Sequence, residues 1–140
     1  MTQNSPKKIF FTKIDVHVTY INYGDHLGND SFISILHEAR LRFLKSIGCT
    51  EKNIDGKGII QKNLSVEYLK QVFHGDCLSV EISIEKPNKA SINLIYNMFN
   101  RNGEHVLSAS TLIVFFDYHN QKIVRTPTLF FDLYDKQGAL

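Results

Sequence analysis

An α+β fold, with one antiparallel sheet wrapped round a single long helix, is what this sequence predicts, and three observations carry the prediction. Ser31–Ile47 repeats its apolar residues at three- and four-residue spacing, the remaining apolar segments run at or near period two, and short turn signals separate the later ones. One strand precedes the helix and four follow it in hairpin-linked succession, giving a sheet of about five strands. The 140 residues suit one domain, 1–140. Scaling gives a folded surface of about 7,400 Å² against about 23,000 Å² unfolded, so a core forms without metal or disulfide staples.

The first strand is expected over Ile9–Thr19, where Phe10, Ile14, Val16 and Val18 share one face and Lys13, Asp15, His17 and Thr19 the other. Tyr20–Asp30 breaks that alternation. Gly24, Gly28, Asn22, Asn29, Asp25 and Asp30 fall within eleven residues, the composition of a tightly turned loop. The helix then carries Phe32, Ile35, Leu36, Ala39, Phe43, Leu44 and Ile47 on its core face, with cap-type Asn29 and Asp30 before it and Gly48 closing it. Ile33 and Leu41 widen that face, as in a helix covered on more than one side.

Gly58–Val72 contains the alternating Leu64, Val66 and Tyr68, and Cys77–Glu85 alternates strictly. A Pro87-Asn88-Lys89 turn leads to Ser91–Asn100. Asn102-Gly103 is a two-residue hairpin signal ahead of Val106–Asp117, whose run Leu112–Phe116 is apolar enough to be covered on both faces. Asn120-Gln121 makes another turn, and Pro127–Lys136 closes as a short helix.

Sixteen Lys and Arg against fourteen Asp and Glu leave a net charge of +2, without the basic excess of a nucleic-acid binder. Cys49 and Cys77 form neither a paired C-x-x-C nor a His cluster, so no metal site is expected and both read as free thiols of a reducing cytoplasm. Met1–Lys8 is polar, with no signal-like apolar core, and no apolar run is long enough for a membrane span.

Chemistry concentrates in the loop before the helix. Unpaired N–H groups and the positive end of the macrodipole favour a developing anion at Gly28 and Asn29, and His26, Asp25, Asn22 and Asn29 supply a proton carrier, a carboxylate and two amides. The same residues also suit plain capping and turning, with Asn29 and Asp30 as caps and Gly24 and Gly28 in the turn. His17, His37, His74, His105 and His119 are scattered without ligand spacing. Cys49 follows the helix C-terminus, where the dipole opposes a thiolate, and no Gly-x-Ser-x-Gly elbow occurs.

Tyr20–Asp30 (YINYGDHLGND), followed by Glu38-Ala39-Arg40 and Phe43-Leu44, resembles the signature of hot-dog-fold acyl thioesterases of the 4-hydroxybenzoyl-CoA and acyl-carrier-protein thioesterase type. Val66-Glu67-Tyr68, His74-Gly75-Asp76 and Leu78-Ser79-Val80 extend the likeness over the following strands. The resemblance implies hydrolysis of an acyl-CoA or acyl-carrier-protein thioester, no cofactor, and a homodimer or homotetramer with its site between subunits. His26 matches the histidine of the acyl-carrier branch and Glu67 its strand glutamate. Asn22 stands where the first subfamily has a catalytic aspartate, and Gly24 where the histidine branch has an asparagine. The implied mechanism has amides near Gly28 and Asn29 polarise the carbonyl, Asn22 or Asn29 orient it, and Glu67 or Asp25 with His26 activate water. A non-catalytic acyl-thioester-binding protein is the alternative, motivated by the amide at Asn22. A hot-dog lyase would need a paired Asp/His signature, which the sequence lacks.

Overall fold

The computed structural model describes residues 5–138, so the first four residues of the polar start Met1–Lys8 lie outside the described residues. One mixed-length antiparallel sheet holds β1 (Lys7–Asp15), β2 (Gly58–Tyr68), β3 (Cys77–Ile84), β4 (Ile92–Phe99), β5 (His105–Asp117) and β6 (Lys122–Val124). Its order is β1-β3-β4-β5-β2, with β6 beside β5, so β1 and β2 are the outer strands. The long helix α1 (Asn29–Ser46) lies across one face, and α2 (Thr128–Gly138) packs at the β1 side.

Period-two burial positions α1. In β3 and β4 every second side chain is buried, and Leu78, Val80, Ile82, Ile84, Ile92, Leu94, Tyr96 and Met98 face the helix. Phe32, Ile35, Leu36, Ala39, Phe43 and Leu44 return that face from α1, as their spacing predicts. Phe43 is fully buried with its ring 5.8 Å from that of Phe10, and such burial contributes about 2–3 kcal/mol. Only half of the expected widening of the helix face occurs: Ile33 is part-buried, while Leu41 remains 41% exposed.

The helix ends in a Schellman arrangement. Gly48 takes φ 76°, its N–H donates to the Lys45 carbonyl at 3.0 Å, and the Cys49 N–H donates to the Leu44 carbonyl at 2.8 Å. At the other end the cap is Gly28, which offers no side chain; Asn29 and Asp30 are already helical, correcting their expected place as caps.

Four further expectations are revised. Val18 lies in a single 3-10 turn (Val18–Tyr20) and is 68% exposed, because β1 ends at Asp15, two residues after which the chain curls back on His17 and Val18 carbonyls. β2 stops at Tyr68 rather than Val72, since the N–H groups of Leu69 and Lys70 both turn to the Val106 carbonyl. The β4–β5 connection is a turn over Asn100–Gly103 closed by Gly103 N–H to the Asn100 carbonyl at 2.9 Å. Gly103 alone takes positive φ there (79°), and the register shifts at Met98/Phe99, so it is a bulged hairpin rather than a two-residue one. A short sixth strand, β6, replaces part of the tail after Asn120-Gln121.

The apolar run in β5 is covered as predicted at Ile113, Val114 and Phe115, with Leu112 and Phe116 part-buried. The ring of Phe130 in α2 packs tilted against Phe115 at 5.2 Å between centroids, and Tyr118 meets Phe116 edge-on at 4.8 Å. Among the described residues no helix is long and apolar enough to cross a membrane.

Candidate active site

The loop between β1 and α1 is a small closed hairpin. Ile21 and Leu27 pair as an isolated bridge, Asn22 N–H donates to the His26 carbonyl at 2.9 Å, and Asp25 N–H donates to the Asn22 carbonyl at 3.1 Å. The residue that takes the left-handed conformation is Asp25, with φ 66°, not either glycine. Gly24 matters for space: a Cβ there would sit 3.1 Å from His26 Nε2 and 3.2 Å from Asn22 Oδ1. Its N–H donates to Asn22 Oδ1 at 2.8 Å, which holds the Asn22 amide against the same turn.

His26 has a defined orientation. Its Nδ1 lies 3.2 Å from the Leu27 carbonyl, which can only accept, so in the neutral ring Nδ1 carries the proton and Nε2 keeps its lone pair beside Gly24. Leu27, 1% exposed, anchors the loop into the core, and its N–H donates to the Val72 carbonyl at 2.6 Å.

Of the two expected oxyanion donors, one is committed. Gly28 N–H donates to the Tyr20 carbonyl at 3.1 Å, so Gly28 can contribute only its compactness, a Cβ there meeting Asp30 Oδ1 at 2.7 Å. The Asn29 N–H has no partner among the described residues, and α1 has no side-chain cap.

Asn29 and His26 line one cleft of about 270 Å³ with Phe32, Tyr68, Lys70 and Gln71. Tyr68 Oη donates to the Asn29 carbonyl at 3.3 Å and its ring meets Phe32 edge-on at 5.5 Å. Tyr68 was not singled out from sequence, although it shares the helix-facing parity of Leu64 and Val66 on a strand running toward the loop. Lys70 is ion-paired to Glu104 on the neighbouring turn.

Glu67 stands elsewhere. Adjacent residues of a strand point to opposite faces, and Glu67 is exposed on the outer face, in a groove with Ser65, Ile95, Ser108 and Ser110. Within one chain it is not brought to His26. Asp25 is exposed at the turn and does not line the cleft. Thus His26, Asn29 and the amide of Asn22 gather round the helix start, while Asp25 and Glu67 stay outside.

Further along α1, Arg40 joins the helix to the strand it covers: its Nε donates to Glu51 Oε2 at 2.8 Å and its Nη1 to Gln61 Oε1 at 2.8 Å. Cys49 is a free, part-buried thiol whose pKa is pushed up, first by burial and then by the charge of Asp55, which suits an inert sulfur rather than a nucleophile. Among the described residues no three His, Cys, Asp or Glu side chains gather as a metal group.

The family profile of the thioesterase-like superfamily matches residues 16–132. Among solved structures, a DHNA-CoA thioesterase from Staphylococcus aureus is 21% identical, with a TM-score of 0.79 over 93% of this chain and 91% of that one. A 1,4-dihydroxy-2-naphthoyl-CoA thioesterase from Synechocystis is 17% identical, with a TM-score of 0.80 over 90% and 95%. A Staphylococcus aureus protein, SAV2348, solved in complex with CoA, is 16% identical, with a TM-score of 0.79 over 99% and 86%. At such identities the likeness establishes the shared fold. No curated protein matches the chain.

Proposed function

We propose that this chain, which belongs to the thioesterase-like superfamily, hydrolyses an acyl-CoA or acyl-carrier-protein thioester to a free acid and a thiol at the start of α1. The observation that carries the proposal is the pairing, along one cleft, of Asn29 with its unpartnered N–H and His26 with its free Nε2 lone pair. A thioester carbonyl oxygen seated at the Asn29 amide gains stabilisation from that donor and from the helix dipole as it becomes an oxyanion. His26 Nε2 takes a proton from water, the hydroxide adds to the carbonyl carbon, and collapse of the tetrahedral intermediate breaks the C–S bond. The departing thiolate receives the proton from the imidazolium, which restores the site. The Asn22 amide, fixed by Gly24, orients the carbonyl or the water.

A cleft of about 270 Å³ holds the reacting end of such a substrate and little more. A homodimer or homotetramer therefore completes the acyl site in this reading. β2 is an outer strand hydrogen-bonded on one side only, a ready surface for a second copy. Asp25 and Glu67 have roles, on this proposal, only where a neighbouring subunit meets them: Glu67 at that subunit's loop, Asp25 at the mouth of the shared site. The two free thiols suit a reducing cytoplasm.

The second reading, a non-catalytic acyl-thioester-binding protein on the same scaffold, is favoured by two observations: an amide stands at Asn22, and the Gly28 N–H is already occupied. Thiol release from a panel of aliphatic and aromatic acyl-CoAs decides between them. Turnover that disappears in His26→Ala with binding retained supports the hydrolase. Binding without turnover across the panel supports the alternative.

A further inference from the structure

At the end of the sheet remote from His26, the segment entering β2, the β3–β4 hairpin and β6 come together round a concavity of about 710 Å³. Its wall carries four cations, Lys57, Lys89, Lys122 and Arg125, against one carboxylate, Asp55. Lys57 is engaged by Asp117 at 3.7 Å. Lys89, Lys122 and Arg125 are exposed and have no ion-pair partner among the described residues, and the same holds for Lys86 on the same hairpin.

An apolar corner stands beside these charges. Ile123 lies opposite Phe116 in the β5–β6 register, the Tyr118 ring meets Phe116 edge-on, and Tyr118 covers Gly58 so closely that a Cβ there would lie 2.4 Å from the ring. Ile123 and Tyr118 nevertheless stay 57% and 54% exposed. The turn that carries them is braced: Asp117 Oδ1 accepts from the His119 and Asn120 N–H groups at 3.0 and 3.1 Å, and Gln121 Nε2 donates to the Tyr118 carbonyl at 2.7 Å. Thr126 N–H donates to the Lys89 carbonyl at 2.9 Å, which ties the cationic hairpin to the end of β6. Both apolar side chains are thus held out toward solvent by ordered backbone, so contact with a partner costs little further ordering.

Unpaired cations round a projecting aliphatic and an aromatic side chain fit a partner that is negatively charged at its surface and apolar just beneath it. We propose that this end of the molecule docks on a bilayer containing anionic phospholipid. Lys86, Lys89, Lys122 and Arg125 face the headgroup phosphates, while Ile123 and Tyr118 reach the boundary between headgroups and acyl chains. A nucleic acid or an acidic peptide would answer the charges alone. Ile123 offers no π-face on which a base could stack, and a net charge of +2 is not the excess of a nucleic-acid binder. Gly58 and Tyr68 end the 11-residue β2 and at about 3.3 Å per residue stand roughly 33 Å apart, so a molecule docked in this way keeps the His26 cleft clear of the bilayer.

The test is flotation of the whole protein with vesicles of phosphatidylcholine, alone or with about 30% phosphatidylglycerol. Binding should need the anionic lipid and should fall by about tenfold or more between about 0.1 M and about 0.5 M NaCl, as the Debye length contracts. Lys122→Glu/Arg125→Glu should bind about thirtyfold more weakly or worse. Lys13→Glu/Arg101→Glu, an equal change in net charge on exposed residues at the cleft end of the sheet, should bind as the parent does. Ile123→Asn keeps every charge and should lose about tenfold. Far-ultraviolet circular dichroism checks that each variant is folded, and because no substrate enters the assay its result is independent of the hydrolase reading. The proposal is overturned by equal binding to both vesicles, by binding to neither, by equal losses in the two charge-reversed variants, or by parent-like binding of Ile123→Asn. A polynucleotide or polyglutamate that displaces the vesicles, and that Ile123→Asn binds as tightly as the parent, would also overturn it by making the patch a general polyanion site.

Discussion

Glu51→Gln tests the lock between α1 and the sheet, and its cost follows from three exposures. Arg40 is 11% exposed at the side chain, Glu51 25% and His37 51%, with the carboxylate 2.8 Å from Arg40 Nε and 2.9 Å from His37 Nε2. A hydrogen bond between charged groups near burial is worth about 1.5–3 kcal/mol, and the exposed histidine pair adds at most about 1 kcal/mol. The neutral amide keeps one acceptor but presents donors to donors, so the expected loss is about 2 kcal/mol, or a fall in Tm of about 7 °C for a chain of this size. The pH dependence has a definite sign. Burial by itself raises the Glu51 pKa, but the hydrogen bonds from His37 and Arg40, and then their charges, outweigh it and leave it below the ordinary carboxylate range. A depressed folded pKa gives stability that is complete above the unfolded value, about 4.3, and is lost as pH falls through the folded one. The difference between parent and variant should therefore be constant at neutral pH and shrink as the solution is acidified below about pH 4. The chain has no Trp, so urea unfolding is followed by far-ultraviolet circular dichroism at pH 7 and pH 3. A cost under about 0.5 kcal/mol at pH 7, or the same cost at both pH values, would refute the reasoning.

His26→Ala should lower kcat for a cleaved acyl-CoA by about 10²-fold or more with KM little changed; equal losses in binding would make the imidazole structural. Asn22→Asp keeps an oxygen for the Gly24 N–H, now at 2.8 Å, and adds a base, so kcat should rise about tenfold, read by the same thiol-release assay. The hydroxyl of Thr126, a residue 6% exposed, is buried without a partner among the described residues. Thr126→Val should accordingly stabilise the fold by about 1 kcal/mol, and a lower urea midpoint would show that the hydroxyl has a partner after all.

Much of the architecture was legible because burial leaves a period in the sequence. β3, β4 and the core face of α1 could be read residue by residue, since each inward side chain is apolar and recurs at the period of its element, even where a neighbour such as Ile95 or Ile33 is apolar too. Ends were less legible. Val18 is as β-prone as Val16, yet only Val16 has the Asp76 and Gly75 backbone partners that keep it in the core, and those lie sixty residues away in sequence or nearly so. The site shows the same division. A histidine among glycines before a helix singles that loop out in the sequence, because packing needs no such residues there. The occupied Gly28 amide and the outward-facing Glu67 follow from tertiary hydrogen bonding and strand parity, neither of which local spacing encodes. Tyr68 is ambiguous in sequence for the same reason, an aromatic that serves a wall as readily as a core.

The 2.6 Å bond from Leu27 N–H to the Val72 carbonyl has a corollary for the site. The stretch joining Tyr68 to Cys77 bears neither proposed proton carrier nor oxyanion donor, yet it is the rail against which the histidine turn is seated. Lengthening or shortening that connector would slide the imidazole relative to the first amide of α1 while every side chain of the proposed site stayed the same, so a change confined to this segment can retune that site.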